Sequence, residues 1–371
     1  MIRKILILLL VFIYPASLYA MGSLPPREYI PLRILVIKDV EDVTLYIKGD
    51  YKILDYESED VLEEGRGLKK DILSADDRDF KSLRILAGAR ASIFVNKRRF
   101  RGNIDILKTD DGKLMVVNHI DIEEYLYGVL KHEVSHRWPL EVLKAQAIAA
   151  RTYAMYQKLI TTNKYYDLTS DIYSQVYGGR TSETSRTRRA VNMTQGMVLM
   201  YDDKVFPGYY HATCGGHTSD ANSLWSIDID VMKGVTCNFC RISPHYTWKK
   251  ELRAGDIQNK LKSGGHSIKL DSIKVIERDP SGRILDILLK NRSKDVKLSG
   301  NKFRLLIGPN ELRSTNFEVR KNGSLFVFLG RGWGHGIGMC QWGAYGMARQ
   351  GWKAYEILGY YYSGANIVKM E

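Results

Sequence analysis

The sequence predicts an α+β protein, with a β-rich N-terminal lobe followed by a helical segment embedded in further β structure. Three observations carry this reading. Short runs rich in branched residues crowd the first third of the chain; apolar residues take up three- and four-residue spacing just after Asp121; and β-like runs separated by Gly and Asn return after Met197. At 371 residues, 44% hydrophobic and 26% charged, the chain is an ordinary globular mixture too long for one comfortable core, so two or three lobes are expected.

The N-terminus carries Arg3 and Lys4 ahead of an apolar run over residues 5–14, with Ala16, Ser17 and Ala20 behind it, the order of an export signal. Residues 1–20 are therefore expected to be a signal peptide that is cleaved. The alternative is an uncleaved membrane anchor, because Leu18 stands at the minus-three position of the cleavage point. No other stretch is apolar for long enough to span a bilayer, so the remainder is expected in the periplasm or on the outer face of the cytoplasmic membrane. The formal charge of +13 favours an anionic partner. No tract of interleaved basic and aromatic residues resembles a nucleic-acid module, so cell-wall polymer or anionic lipid head groups fit better than nucleic acid.

Past a Pro25-Pro26 linker, residues 32–37, 43–47, 84–95 and 114–117 read as strands, giving a β-rich lobe over 29–119 whose expected role is scaffolding or glycan binding. The region 120–371 then changes character. Asp121 is expected to cap a helix, with Glu124 completing a capping box. Ile122, Tyr125, Leu126, Val129 and Leu130 form an apolar stripe, and Glu133 falls at its end. Pro139 is expected to close this helix and open a second, Ala-rich one over 140–159. Residues 284–289, 303–307 and 324–329 read as strands, 330–343 as a Gly-rich loop, and 344–349 as a last helix.

Two chemistries compete at Glu133. Residues 131–136 spell Lys-His-Glu-Val-Ser-His, and H-E-x-x-H is the pattern of a zinc protease with His132 and His136 as ligands. Against it, Pro139 follows His136 closely and Val142 occupies the place of a metzincin's third His. The other chemistry needs one carboxylic acid in a partly apolar cleft, where desolvation raises its pKa enough to protonate a glycosidic oxygen. Asp167 and Asp171 are the candidates for a second carboxylate; without one, a single-carboxylate mechanism is required. The four cysteines are Cys214, Cys237, Cys240 and Cys340, and Cys237-Asn238-Phe239-Cys240 has metal-ligand spacing. Two disulfides or one shared metal site remain open, with His211, His217 and His245 as substitute ligands.

Several blocks run in a fixed order: Tyr125-Leu126-Tyr127-Gly128-Val129 through Glu133, Trp138-Pro139-Leu140-Glu141, Lys144-Ala145-Gln146-Ala147 and Ala149-Ala150-Arg151-Thr152-Tyr153. Ser174-Gln175-Val176-Tyr177-Gly178-Gly179, Cys214-Gly215-Gly216-His217-Thr218, Gly330-Arg331-Gly332-Trp333-Gly334-His335-Gly336 and Gln341-Trp342-Gly343-Ala344 follow. Together they resemble the SpoIID/LytB family over about 121–367. The resemblance implies a lytic transglycosylase acting on peptidoglycan strands stripped of stem peptides, with Glu133 as general acid and base and no cofactor needed for catalysis.

In that chemistry the substrate's own C6 hydroxyl is the nucleophile, which leaves a 1,6-anhydro end and removes the need for a second carboxylate. Lys144 and Arg151 stand two helical turns apart on one face and are assigned by the resemblance to substrate positioning. Gln175, Tyr177, Thr218 and His335 are the next candidates for sugar contacts, since their polar groups suit a neutral polyol. Cys214 and Cys340 fall inside the shared motifs, which suggests that all four cysteines converge on one structural metal, zinc. Some family members bind zinc just before their Gln-Val-Tyr, but residues 164–174 hold neither Cys nor His. A cell-wall amidase is the implied protein partner, and a family branch similar to LytB modifies amidase activity without cleaving glycan itself.

Overall fold

Branched and polar residues alternate along much of β1 (Pro31–Val40) and β2 (Asp42–Asp55), the period that puts one strand face in a core, and β3 (Val61–Ser74), β4 (Leu83–Ala87) and β5 (Ser92–Val95) follow. In the computed structural model, which describes residues 29–370 apart from 78–79, 172–173 and 293–294, these strands join β6 (Arg98–Phe100), β7 (Asn103–Lys108), β8 (Leu114–Asp121) and β9 (Leu168–Thr169). They form one curled sheet in the order β6-β5-β2-β4-β7-β8-β1-β9, with β3 added alongside β2. The run read as one strand over 84–95 divides into β4 and β5 at a turn closed by the Ala91 N–H on the Gly88 carbonyl, 2.8 Å. The expected signal and the Pro25-Pro26 linker lie outside the described residues.

β8 runs without a loop into α1 (Ile122–Glu133). The Asp121 carboxylate caps it by accepting from the Glu123 N–H at 3.0 Å. Glu124 does not complete a capping box; it pairs with Arg101 at 3.4 Å. The helix ends at Glu133, where Val134 turns extended, so Pro139 does not close it but caps α2 (Leu140–Ile160). Ile34, Ile104 and Val116 of the sheet, Leu126 and Leu130 of α1, and Leu143 and Ala147 of α2 share a single core. Each fully buried Leu there contributes about 1.5–3 kcal/mol of hydrophobic stabilisation. The expected boundary at 119–120 therefore falls inside β8, and sheet and helices stabilise one another.

The opposite face of α2, through Val142, Ala145 and Ala149, packs into a second core with Ile337, Met339 and the four cysteines. Two short parallel strands, Tyr210–His211 and Met339–Cys340, lie in this layer, and the helix Gln341–Arg349 follows at once. Between Cys240 and Cys340 the chain builds a third core from two three-stranded sheets and the helices Ala254–Ser263 and Gly300–Ile307. Residues 303–307, read as a strand, belong to that last helix. The Ser299 hydroxyl starts it by accepting from the Lys302 N–H at 3.1 Å, and Phe303 and Ile307, one turn apart, bury the same face. The class is α+β as the sequence predicts. Among the described residues no helix is long and apolar enough to cross a membrane.

Candidate active site

Glu133 is the last residue of α1, so its carboxyl leaves the helix where the chain turns away. Gly128 lets α1 press against the segment that follows α2: a Cβ there would meet the Tyr177 ring at 2.6 Å and the Gly179 carbonyl at 2.9 Å. The Val176 N–H, the Tyr210 hydroxyl and the Gln341 amide are the polar groups that favour the ionised Glu133 carboxyl. Glu133 keeps a solvent-accessible edge while protein surrounds its carboxyl. Burial pushes its pKa up to about 7, against the opposing pull of the three donors.

The donors are themselves held in place. Tyr125 donates to Gln175 Oε1 at 3.1 Å, and Gln175 Nε2 donates to the Tyr210 oxygen at 2.9 Å and to the Ala150 carbonyl at 3.2 Å. Tyr210 thus accepts from Gln175, which leaves its own proton for Glu133. Gln341 is anchored through Nε2 on Gln146 Oε1 at 3.3 Å. Trp138, Trp342 and Tyr345, all partly exposed, cluster with ring centroids 4.9–5.4 Å apart, and Trp342 directly follows Gln341 in the chain. Tyr153, Tyr209, Trp225 and His335 make a second aromatic series, with neighbouring centroids at 5.8, 4.3 and 4.9 Å.

The expected substrate contacts separate in the structure. Gln175 belongs to the Glu133 network but is buried, so it positions Tyr210 and does not face a ligand. His335 stands nearby: its Nδ1 accepts from the Ile337 N–H at 3.1 Å and its Nε2 donates to the Tyr210 carbonyl at 3.0 Å. Burial pushes its pKa down to about 3, so the ring is neutral.

Lys144 is partly exposed and paired with Glu141 at 3.0 Å. Arg151 is not on a substrate face. It has no solvent exposure and grips Glu123 through two bonds, 2.8 and 2.6 Å. Tyr177 is buried and donates to Asn118 at 2.9 Å, and Thr218 is buried and bridges both backbone groups of Val235. These three hold the scaffold because their polar atoms find partners inside the protein.

Tyr210 and Gln341 were missed as contacts of Glu133. Gln341 lies in a quoted motif directly after Cys340, a signal that could have selected it; Tyr210 sits in a short strand with no pattern of its own.

The H-E-x-x-H reading fails on geometry. Two His ligands one turn apart need a continuous helix, but α1 stops at Glu133, and His132 Nε2 is bonded to the Ser182 hydroxyl at 2.6 Å. Asp167 is no second acid, since its carboxylate holds the Arg33 guanidinium at 2.7 and 3.1 Å and the Arg33 N–H at 2.8 Å. Asp171, on an exposed turn, accepts from the Thr169 hydroxyl at 2.9 Å. The four cysteines do converge: their sulfurs lie within 4.8 Å of one another and all four side chains are buried. A cleft of about 450 Å³ opens beside this cluster, lined by Gly216, Asn238, Arg241, Tyr246 and Asn316 among others.

Residues 110–201, which hold Glu133, Gln175 and Arg151, match the family model described as Stage II sporulation protein. Stage II sporulation protein D of Bacillus subtilis is 31% identical over 272 residues, covering 68% of this chain and 75% of that protein. The chain belongs to the SpoIID family. An uncharacterized protein of Brachyspira hyodysenteriae is 34% identical over 341 residues, 88% of this chain and 89% of that one. The amidase enhancer of Bacillus subtilis is 29% identical over 289 residues, 65% of this chain and 40% of that protein. Residues 235–338 match a separate model described as a domain of unknown function (DUF8618), which corresponds to the insert between Cys240 and Cys340.

Proposed function

We propose that the chain is a peptidoglycan lytic transglycosylase that cleaves the bond between N-acetylmuramic acid and N-acetylglucosamine in peptide-stripped strands. One observation carries this reading: burial holds the Glu133 carboxyl at a pKa of about 7, with three neutral donors and no cation among its partners in the described residues. Such a group can both give and take a proton near neutral pH. Its relatives named for sporulation and for amidase enhancement support a role at the cell wall. The basic charge suits an anionic wall, and the N-terminal segment suits an exported chain that is cleaved from, or stays anchored in, the membrane.

In the reaction, protonated Glu133 gives its proton to the glycosidic oxygen as the C1–O bond breaks and the N-acetylglucosamine leaves with a free hydroxyl. The new carboxylate is held by Tyr210, Gln341 and the Val176 N–H, and it draws the proton from the muramic C6 hydroxyl. That oxygen bonds to C1 and closes the 1,6-anhydro ring, and Glu133 ends protonated as it began. No water and no second carboxylate enter the balance. The Trp138–Trp342–Tyr345 cluster offers flat apolar faces on which sugar rings can lie.

The test is mass spectrometry of denuded glycan strands incubated with the protein. Anhydro-muramic ends are expected from the wild type, and Glu133→Gln should lower their release roughly 10²–10⁴-fold while strand binding persists. Equal release from Glu133→Gln would overturn the assignment. The amidase-enhancer relative motivates a second reading, a wall-bound regulator; strand binding and amidase stimulation by a folded wild type that yields no anhydro ends would establish it instead.

A further inference from the structure

We propose that Cys214, Cys237, Cys240 and Cys340 hold one tetrahedral zinc ion that clamps the neck of the inserted unit to the paired strands Tyr210–His211 and Met339–Cys340, the second of which leads directly into Gln341. A Zn–S bond of about 2.3 Å places tetrahedral sulfurs roughly 3.8 Å apart. The four sulfurs fit that spacing, since all lie within 4.8 Å of one another and Cys214 and Cys240 are 3.4 Å apart. Two disulfides would instead draw the sulfurs into separate pairs at about 2.05 Å, whereas all four cysteines are free and mutually close.

The surroundings are built for thiolates. The N–H groups of Cys214 and Gly343 donate to Cys340 Sγ at 3.2 and 3.3 Å, and the Tyr361 hydroxyl lies 3.1 Å from Cys237 Sγ. Such second contacts orient ligands and stabilise their charge. Gly343 makes the approach possible, because a Cβ there would meet the Tyr361 oxygen at 1.9 Å and Cys237 Sγ at 2.8 Å. A zinc ion with four thiolates carries a net charge of −2, and buried Arg283 answers it from the inserted unit. Its guanidinium donates to the Cys214 carbonyl at 2.7 Å and the His217 carbonyl at 3.0 Å.

The position of the cluster gives the metal its purpose. Cys237 and Cys240 precede the insert, Cys340 follows it, and Thr247 pairs with Arg331 where the insert's outermost strands meet. Cys340 is also the partner of His211 in the parallel pairing, with Tyr210 and Gln341 as the adjoining residues. One ion therefore ties the insert to the strands that set the donors on Glu133. The clamp's catalytic meaning rests on the glycan-cleaving reading; the metal site does not, and neither readout below depends on turnover.

The full-length protein, purified without chelator, is analysed for metal content and intact mass. About one zinc per chain with all four cysteines reduced is expected. Metal-free protein overturns the proposal, whether four hydrogens lighter as two disulfides or with four titratable thiols. Cys237→Ser should lower zinc retention under chelator competition at least about tenfold. Because that variant risks unfolding, hydrogen exchange of the unmutated chain before and after zinc stripping supplies the second arm. Stripping should accelerate exchange in residues 209–217 and 337–343 while α1 stays protected. Unchanged exchange there, or equal acceleration through α1, would overturn the clamp.

Discussion

Two glutamates on one helix meet opposite fates. Glu123, in the first turn of α1, is buried and bound by the Arg151 guanidinium at 2.8 and 2.6 Å, with the Gly196 N–H adding a third bond at 2.9 Å. Glu133, in the last turn, also has three donors, but they are a hydroxyl, an amide and a backbone N–H. Each carboxyl has three polar neighbours that favour its ionised form, and the difference is one full positive charge. With the cation, a buried carboxylate is locked as a structural anion; without it, burial leaves the carboxyl able to exchange a proton near neutral pH.

Breaking the paired end tests the first half of that contrast and carries the largest effect. Arg151→Met keeps the length of the side chain but leaves Glu123 enclosed without its cation, so unfolding in urea should show a loss of about 3–5 kcal/mol. Glu123→Gln combined with Arg151→Met should recover part of it, because neither charge is then left alone. A single-variant loss below about 1 kcal/mol would mean that the pair is solvated or replaceable, and the contrast between the two glutamates would fail.

The same contrast shows what was legible in the sequence. Glu133 could be found because helical spacing ends an apolar stripe on a carboxylate, and local spacing survives folding. α1, α2 and the helix Gln341–Arg349 were legible for that reason. Arg151 was not: a side chain two turns from Lys144 can face a ligand or an internal anion, and the deciding partner, Glu123, lies on another helix. Tyr177 and Thr218 were assigned to sugar by chemical type alone, whereas each satisfies its polar group on distant backbone or amide atoms. For the cysteines, Cys237 and Cys240 share a local spacing, but Cys214 reaches them where His217 pairs with Thr236, and Cys340 through the parallel pairing of two very short strands. Residues 303–307 misled because Phe303, Leu305 and Ile307 alternate as in a strand, while Ser299 upstream commits the backbone to a helix.

Neutralising the unpaired end gives a smaller, pH-dependent effect of opposite sign. The Glu133 pKa is raised in the folded chain from an ordinary 4.5 to about 7. The folded state then holds the extra proton between those values, and wild-type stability falls as pH rises through them. Glu133→Gln is neutral throughout, so it should match wild type below about pH 4, gain on it as pH rises through 4.5 to 7, and be more stable by the full amount above pH 7. The gain approaches about 2–3 kcal/mol, an upper range because part of Glu133 faces solvent. Urea unfolding at pH 5 and pH 8 measures it, and an equal difference at both pH values would mean that Glu133 is not held protonated by the fold.

The finest adjustment is to the donors. The Tyr210 hydroxyl holds the Glu133 pKa down by favouring its ionised form, so Tyr210→Phe should raise that pKa further. One neutral hydrogen bond contributes about 0.5–1.5 kcal/mol, so the pH above which anhydro-end release falls should move upward by roughly half to one pH unit. The pH profile of kcat/KM on denuded strands reads this directly, and the pH dependence of unfolding reads it independently of turnover. A merely structural Tyr210 would lower the rate at all pH values and leave the profile in place. Movement of the limb in Tyr210→Phe, with no comparable movement in Lys144→Ala, would tie the proton-exchanging carboxyl to the tyrosine that Gln175 holds in position.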